Sequence, residues 1–140
     1  MGCDLYLYPE RRDSEGTFQK LPTPKDLDQR NYWRYSFLAG ARNSFNIVPI
    51  SEPRGLPADV SAYVASNADL QEGDTTMHSW LSLEELLAFD YDAPLRFQQG
   101  GRGPNCAEAT YREFLDEHFL PDLIELQSSG AERIVFWFVG

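Results

Sequence analysis

Arg133-Ile134-Val135-Phe136-Trp137-Phe138-Val139 is the stretch on which the fold turns. It is continuously apolar after its arginine, and every apolar side chain is β-branched or aromatic. Such a run suits a strand buried on both faces and therefore placed in the middle of a sheet. Six apolar residues are also far short of the ~20 that a membrane-spanning helix needs.

The other end of the chain supplies a partner. In residues 3–8, Cys3, Leu5 and Leu7 alternate with Asp4, Tyr6 and Tyr8. This period of two predicts a strand with one apolar face and one polar or aromatic face. Pro9 lacks an N–H for a ladder, so the strand is expected to end there or to lie at an edge. Residues 10–28 read as a loop that can hold a short strand at Thr17–Leu21. Helical spacing predicts a helix from Arg30 to Arg42 and a short one over Val60–Ala68, capped by Asp59 or Ser61. Ser82-Leu83-Glu84-Glu85 is a capping box, flanked by Leu81 and Leu86 as a hydrophobic staple, and it predicts a short helix to about Phe89. Pro94–Asn105 reads as a loop. Ala107 to about Leu126 reads as the longest helix, kinked or restarted at Pro121, with His118 packed on its apolar stripe. These elements give an α+β class: one domain over residues 1–140, a mixed sheet with adjacent first and last strands, and three to four helices.

Composition bounds the function. The 140 residues are 42% hydrophobic, 14% aromatic and 24% charged, which is the make-up of a folded domain. The formal charge of −10 argues against extended nucleic acid as a partner, because that affinity comes from neutralising phosphates. The charge is uneven. Residues 1–54 hold eight basic and seven acidic side chains, whereas Gly55–Leu95 hold eight acids and no Lys or Arg. No basic segment followed by an apolar stretch marks a secretory signal, so a cytoplasmic setting is expected. Two cysteines 103 positions apart spell neither a disulfide framework nor a zinc ribbon. GxGxxG before a helix, GxxxxGK[ST], HExxH and GxSxG are all absent, so no cofactor is named and no metal ligands are assigned.

Three constellations could carry chemistry. Asp4, Tyr6 and Tyr8, with Glu10 just past them, line one strand face and could bind a metal or stack on a heterocycle; a solvated strand face reads the same way. Ser51-Glu52-Pro53-Arg54-Gly55-Leu56-Pro57, followed by Asp59, holds Arg54 on a stiff loop suited to gripping an anion; a surface turn with Arg54 paired to a nearby acid is equally consistent. Met77-His78-Ser79-Trp80 places His78 just before the capped helix, where a histidine can be a base, a ligand or a donor to phosphate; a histidine that merely flanks a core Trp80 is equally consistent.

Five ordered blocks resemble a family of small hypothetical proteins of bacteriophages and actinobacteria. They are Met1–Tyr8, Leu38-Ala39-Gly40-Ala41-Arg42-Asn43, Pro49–Pro57, His78-Ser79-Trp80-Leu81 and Arg133–Phe138. The family's opening often has a histidine where this chain has Tyr6, and it often carries further residues before His78. The substitution of Tyr6 turns that strand face from metal binding toward stacking on a base.

Three functions are therefore expected to compete. The first is binding of a small anion, a nucleotide or nucleotide-derived signal of host defence. Arg42 and Arg54 would hold phosphates, Tyr6, Tyr8 and Trp80 would stack, Asp4 and Asp59 would take a base edge or ribose hydroxyl, and His78 would complete the set. The second is a hydrolase or phosphodiesterase with His78 as acid or base and Asp4, Glu10 or Asp59 holding a metal. The third is an interaction protein that docks on a host partner through its acidic second half.

Overall fold

The computed structural model describes residues 2–70, 75–99 and 106–140. Four strands form the main sheet: β1 (Asp4–Arg12), β2 (Phe18–Lys20), β3 (Thr75–Ser82) and, in chain order after a separate hairpin, β6 (Arg133–Val139). Their order is β2-β1-β6-β3. The terminal strands are neighbours, with Asp4 opposite Val139, Tyr6 opposite Trp137 and Glu10 opposite Arg133. Every pairing is antiparallel, so the sheet is not mixed. With β1 on one side and β3 on the other, β6 is interior, as its unbroken apolar run requires.

β1 continues past Pro9 to Arg12. The Pro9 carbonyl accepts from Leu21 N–H at 2.8 Å, so the proline nitrogen faces the same outer side, just past the end of β2. No ladder bond to β6 is lost there, which is why the strand need not stop.

The two sheet faces differ. Leu5 and Leu7 of β1, Ile134, Phe136 and Phe138 of β6 and Leu81 of β3 belong to one large core. That core is completed by α1 (Tyr32–Ala39), α3 (Leu83–Ala88) and α5 (Phe119–Ser128). Tyr35 of α1 donates its hydroxyl to the Cys3 carbonyl and packs edge-on against Phe138 at 5.0 Å. In α5, Phe119, Leu123 and Leu126 bury one stripe at helical spacing. The opposite face carries Val135 and Trp137, with Tyr6, Tyr8 and Trp80 around them, under α2 (Ala62–Leu70).

Two capping boxes set helix starts. Ser82 and Glu85 make the expected one. Thr110 and Glu113 make another at α4 (Tyr111–Phe114), and this one overturns the reading of Ala107–Leu126 as one helix. Cys106–Thr110 is strand β5, paired with β4 (Pro94–Gln98) from the stretch read as a loop. A break at Leu115–His118 then precedes α5, with Pro121 in its first turn, where a missing N–H costs nothing. The described residues thus hold five helices, the expected long one being divided. His118 is not core: its side chain is 63% exposed and lies 3.6 Å from Glu117. No helix among the described residues is long and apolar enough to cross a membrane.

Gly40 ends α1 in the left-handed region at φ 75°, donating to the Ser36 carbonyl at 2.9 Å. A methyl group at this position would meet only Pro49 Cγ, at 3.7 Å. Gly40→Ala therefore carries backbone strain without a clash. The expected loss is roughly 1 kcal/mol, seen as a lower urea midpoint with an unchanged slope. An unchanged midpoint would refute the assignment.

Candidate functional site

The second sheet face is where most of the sequence-predicted residues meet. At its lower end Arg133 is buried, and each of its guanidinium nitrogens has an acceptor. Nε donates to Glu10 Oε1 at 2.8 Å and Nη1 to Asp59 Oδ1 at 2.8 Å, while Nη2 reaches the Asp59 carbonyl at 3.3 Å. Its cationic carbon lies 3.5 Å from the Phe18 ring centroid and 5.9 Å from that of Trp80. Glu10 is 0% exposed, and its second oxygen accepts from Ser61 N–H at 2.9 Å. Ser61 Oγ in turn accepts from Val64 N–H and caps α2. The cluster thus ties β1, β6 and the loop before α2 together.

Arg54 stands on the same side. Its backbone N–H donates to Ser79 Oγ at 3.0 Å and the next N–H, of Gly55, to the His78 carbonyl at 2.8 Å, so the Pro-rich loop docks along the outer edge of β3. The guanidinium lies over Trp80 at 4.8 Å and grips Glu85, with Nη1 2.8 Å from Oε2. That pairing, together with the Ser82 N–H and hydroxyl, holds Glu85 well down at about 2. Of the two alternatives open for Arg54, the structure has the arginine paired with an acid.

Upward along the face, β3 bulges. Ser79 and Thr76 pair with Phe136 and Phe138, leaving Met77 and His78 opposite Trp137. Met77 takes φ 56° to make the bulge. The extra residue lays the His78 ring on Trp137, with centroids 5.6 Å apart. His78 thus does not address the N-terminus of α3. Burial lowers its pKa, favouring the neutral imidazole. Tyr6 and Tyr8 flank Trp137 from the other side at 6.2 and 5.5 Å. Sequence reading missed Trp137 as a site residue because its apolar neighbours marked it as core, which it also is.

Tyr6, Tyr8, Arg54, Asp59, His78 and Trp80 therefore gather on this face. Asp4 lies at its rim, exposed and paired with Arg30. Arg42 does not join: it follows α1 on the opposite side of the sheet, over the Tyr32 ring at 5.8 Å. The proposed metal carboxylates are held by arginines, Asp4 by Arg30 and both Glu10 and Asp59 by Arg133. Among the described residues, no three His, Cys, Asp or Glu side chains converge as a metal site.

An open groove of about 540 Å³ lies at the Arg133 end, between β2, the start of α3 and the turn from α5 to β6. Phe18, Trp80, Asp59, Glu84, Arg12 and Arg133 are among its walls. Arg12 sits at the surface, paired with Glu132. Comparisons with protein-family models, with characterised proteins and with solved structures return no match.

Removing Glu10 leaves the buried Arg133 with only the largely exposed Asp59 as counterion. Glu10→Ala is expected to cost about 3–5 kcal/mol in urea unfolding, and Glu10→Met combined with Arg133→Met to recover much of it. A loss below about 1 kcal/mol for the single variant would show the pair to be dispensable. Glu85 titrates lower folded than unfolded, so its stabilisation is complete above its usual value of 4.5 and is lost as pH falls toward about 2. The stability gap between the natural protein and Glu85→Gln should be widest near pH 7 and close by pH 2. A gap that stays constant across that range would refute the pairing.

Proposed function

We propose that the protein is a binding protein for a small nucleoside-like ligand, held in the groove beside Arg133. The observation that supports this reading best is the pairing of two aromatic walls, Phe18 and Trp80, with two acceptor carboxylates, Asp59 and Glu84, around one groove of about 540 Å³. That volume lies within the roughly 300–1,000 Å³ of small-molecule sites. A base would stack on Trp80, and Asp59 or Glu84 would accept from an amino edge or a ribose hydroxyl.

Charge refines the class. Arg54, Arg133 and Arg12 are each neutralised by a carboxylate, and the chain carries −10 overall. A polyphosphate would have to displace an ion pair and enter a negative field. A nucleoside, or a nucleotide with one phosphate near Arg12 at the rim, suits the groove better. The resemblance to small phage proteins would give this binding a setting, the withdrawal of a host defence signal.

The hydrolase reading is less well supported, because arginines rather than His78 hold Asp4, Glu10 and Asp59. Docking through the acidic half is weakened by the same kind of pairing, since Asp59, Glu85 and Asp92 face Arg133, Arg54 and Arg112.

Calorimetric titration with nucleosides, monophosphates and triphosphates tests the proposal. Nucleosides or monophosphates are expected to bind most tightly, with Trp80→Ala weakening them roughly tenfold or more. Glu84→Gln, a change on the exposed surface, should alter the preference among bases. Absence of binding by every member of the panel would overturn the reading. Recovery of a cleaved ligand would put the hydrolase in its place.

A further inference from the structure

The other end of the same face carries an unexplained polar atom. Trp137 is 0% exposed, and its indole Nε1 has no hydrogen-bond partner among the described residues. Buried donors are nearly always paired in native proteins, so an orphan at the centre of a face calls for an explanation. The indole is not in an ordinary apolar core. Three polar rings surround it, with Tyr6 and His78 nearly parallel to it, at 12° and 29°, and Tyr8 tilted at 35°. The bulge that brings His78 there needs Met77, a residue with a side chain, in the left-handed region. Backbone strain of that kind gathers where a ligand is clamped.

The cover over these rings is slight. Val64 is the single buried residue of α2. Tyr63 and Leu70 of the helix are 53% and 75% exposed. The helix has no acid of its own in the first turn and no base in its last, so only the Glu10 carboxylate at its start answers the dipole. A nine-residue helix of this composition is marginal by itself. Its start is pinned by Glu10 and Ser61, whereas farther along it is held by Val64 and Ala68 and by the Tyr63 ring, which meets Tyr8 edge-on at 6.1 Å and Lys20 at 4.8 Å. An element with so little buried surface opens at a small fraction of the global unfolding free energy.

We propose that the space beneath α2 is a second, normally closed ligand seat. A planar heterocycle with a ring acceptor would enter there when α2 lifts from the sheet, stacking among Tyr6, Tyr8 and His78 and accepting the Trp137 Nε1–H. This seat is separate from the open groove and does not depend on the nucleoside reading. The structure assigns it a ligand class through the missing partner: the indole can only donate, so the ligand must accept. Three aromatic neighbours call for a flat ring.

The experiment follows the indole N–H of Trp137 by ¹⁵N NMR, its signal assigned by its loss in Trp137→Phe. In D₂O this proton is expected to exchange roughly tenfold or more faster than the backbone amides of Ile134 and Phe136, which report global unfolding. Benzimidazole, a planar ring with one acceptor nitrogen, should shift the signal downfield and saturably. Indene, which has no acceptor, should not. Val64→Ala, which thins the cover, should strengthen the benzimidazole response. Exchange of the indole at the global rate would overturn the proposal. So would a signal that benzimidazole leaves in place in both the natural protein and Val64→Ala.

Discussion

The buried pair of Glu10 and Arg133 is the contact on which the arrangement of this face depends. The two residues lie directly opposite each other on β1 and β6. Each also reaches off the sheet, Arg133 to Asp59 and Glu10 to the Ser61 N–H. An ion pair hidden from water gains little over an apolar pair of equal size. What this one adds is direction. Three strand and loop segments can satisfy the guanidinium and the carboxylate together in only one register, and a slip of one residue along β1 would carry Glu10 into the apolar core on the other face. The pair thus fixes where the Pro-rich loop turns into α2 and where the groove wall at Asp59 stands.

Much of this was legible in the chain because it is local. The unbroken run of β6, the alternation of β1 and the Ser82–Glu85 capping box each fix an element from a few adjacent residues. The reading failed at Ala107–Leu126, where Tyr111, Phe114, Leu115, His118 and Phe119 imitate one helical stripe. The Thr110-Tyr111-Arg112-Glu113 capping box marks the true helix start three residues into that stretch. Ala107-Glu108-Ala109 favours helix by intrinsic propensity, but Cys106–Thr110 pairs with β4 to form the second sheet, and that pairing overrides it. That pairing joins stretches separated in the sequence and is invisible to any short window.

The site was legible in the same uneven way. Alternation placed Tyr6, Tyr8 and Glu10 on one face, and the turn chemistry of Pro53-Arg54-Gly55 marked a docked loop. Which charges meet is a long-range fact. Arg54 finds Glu85 31 positions away, and Glu10 finds Arg133 123 positions away. Those pairings decide the chemistry, because an arginine already held by a carboxylate is a poor first contact for phosphate. For this reason the proposed ligand is a flat ring that carries few phosphates.

The two ends of the face follow opposite rules. At Arg133 each guanidinium nitrogen has an acceptor and the backbone is held from three sides. At Trp137 a buried donor is left unanswered, at a cost of about 1–3 kcal/mol, a sizeable share of the roughly 5–15 kcal/mol that keeps a domain folded. The fully satisfied end makes this tolerable, because it anchors α2 by its start and spares the rest of the helix from having to pack tightly. A rigid hinge beside a poorly satisfied floor is an arrangement in which a bound acceptor returns free energy that the empty fold forgoes. The same ion pair that fixes the register therefore also allows one stretch of the face to stay loosely covered.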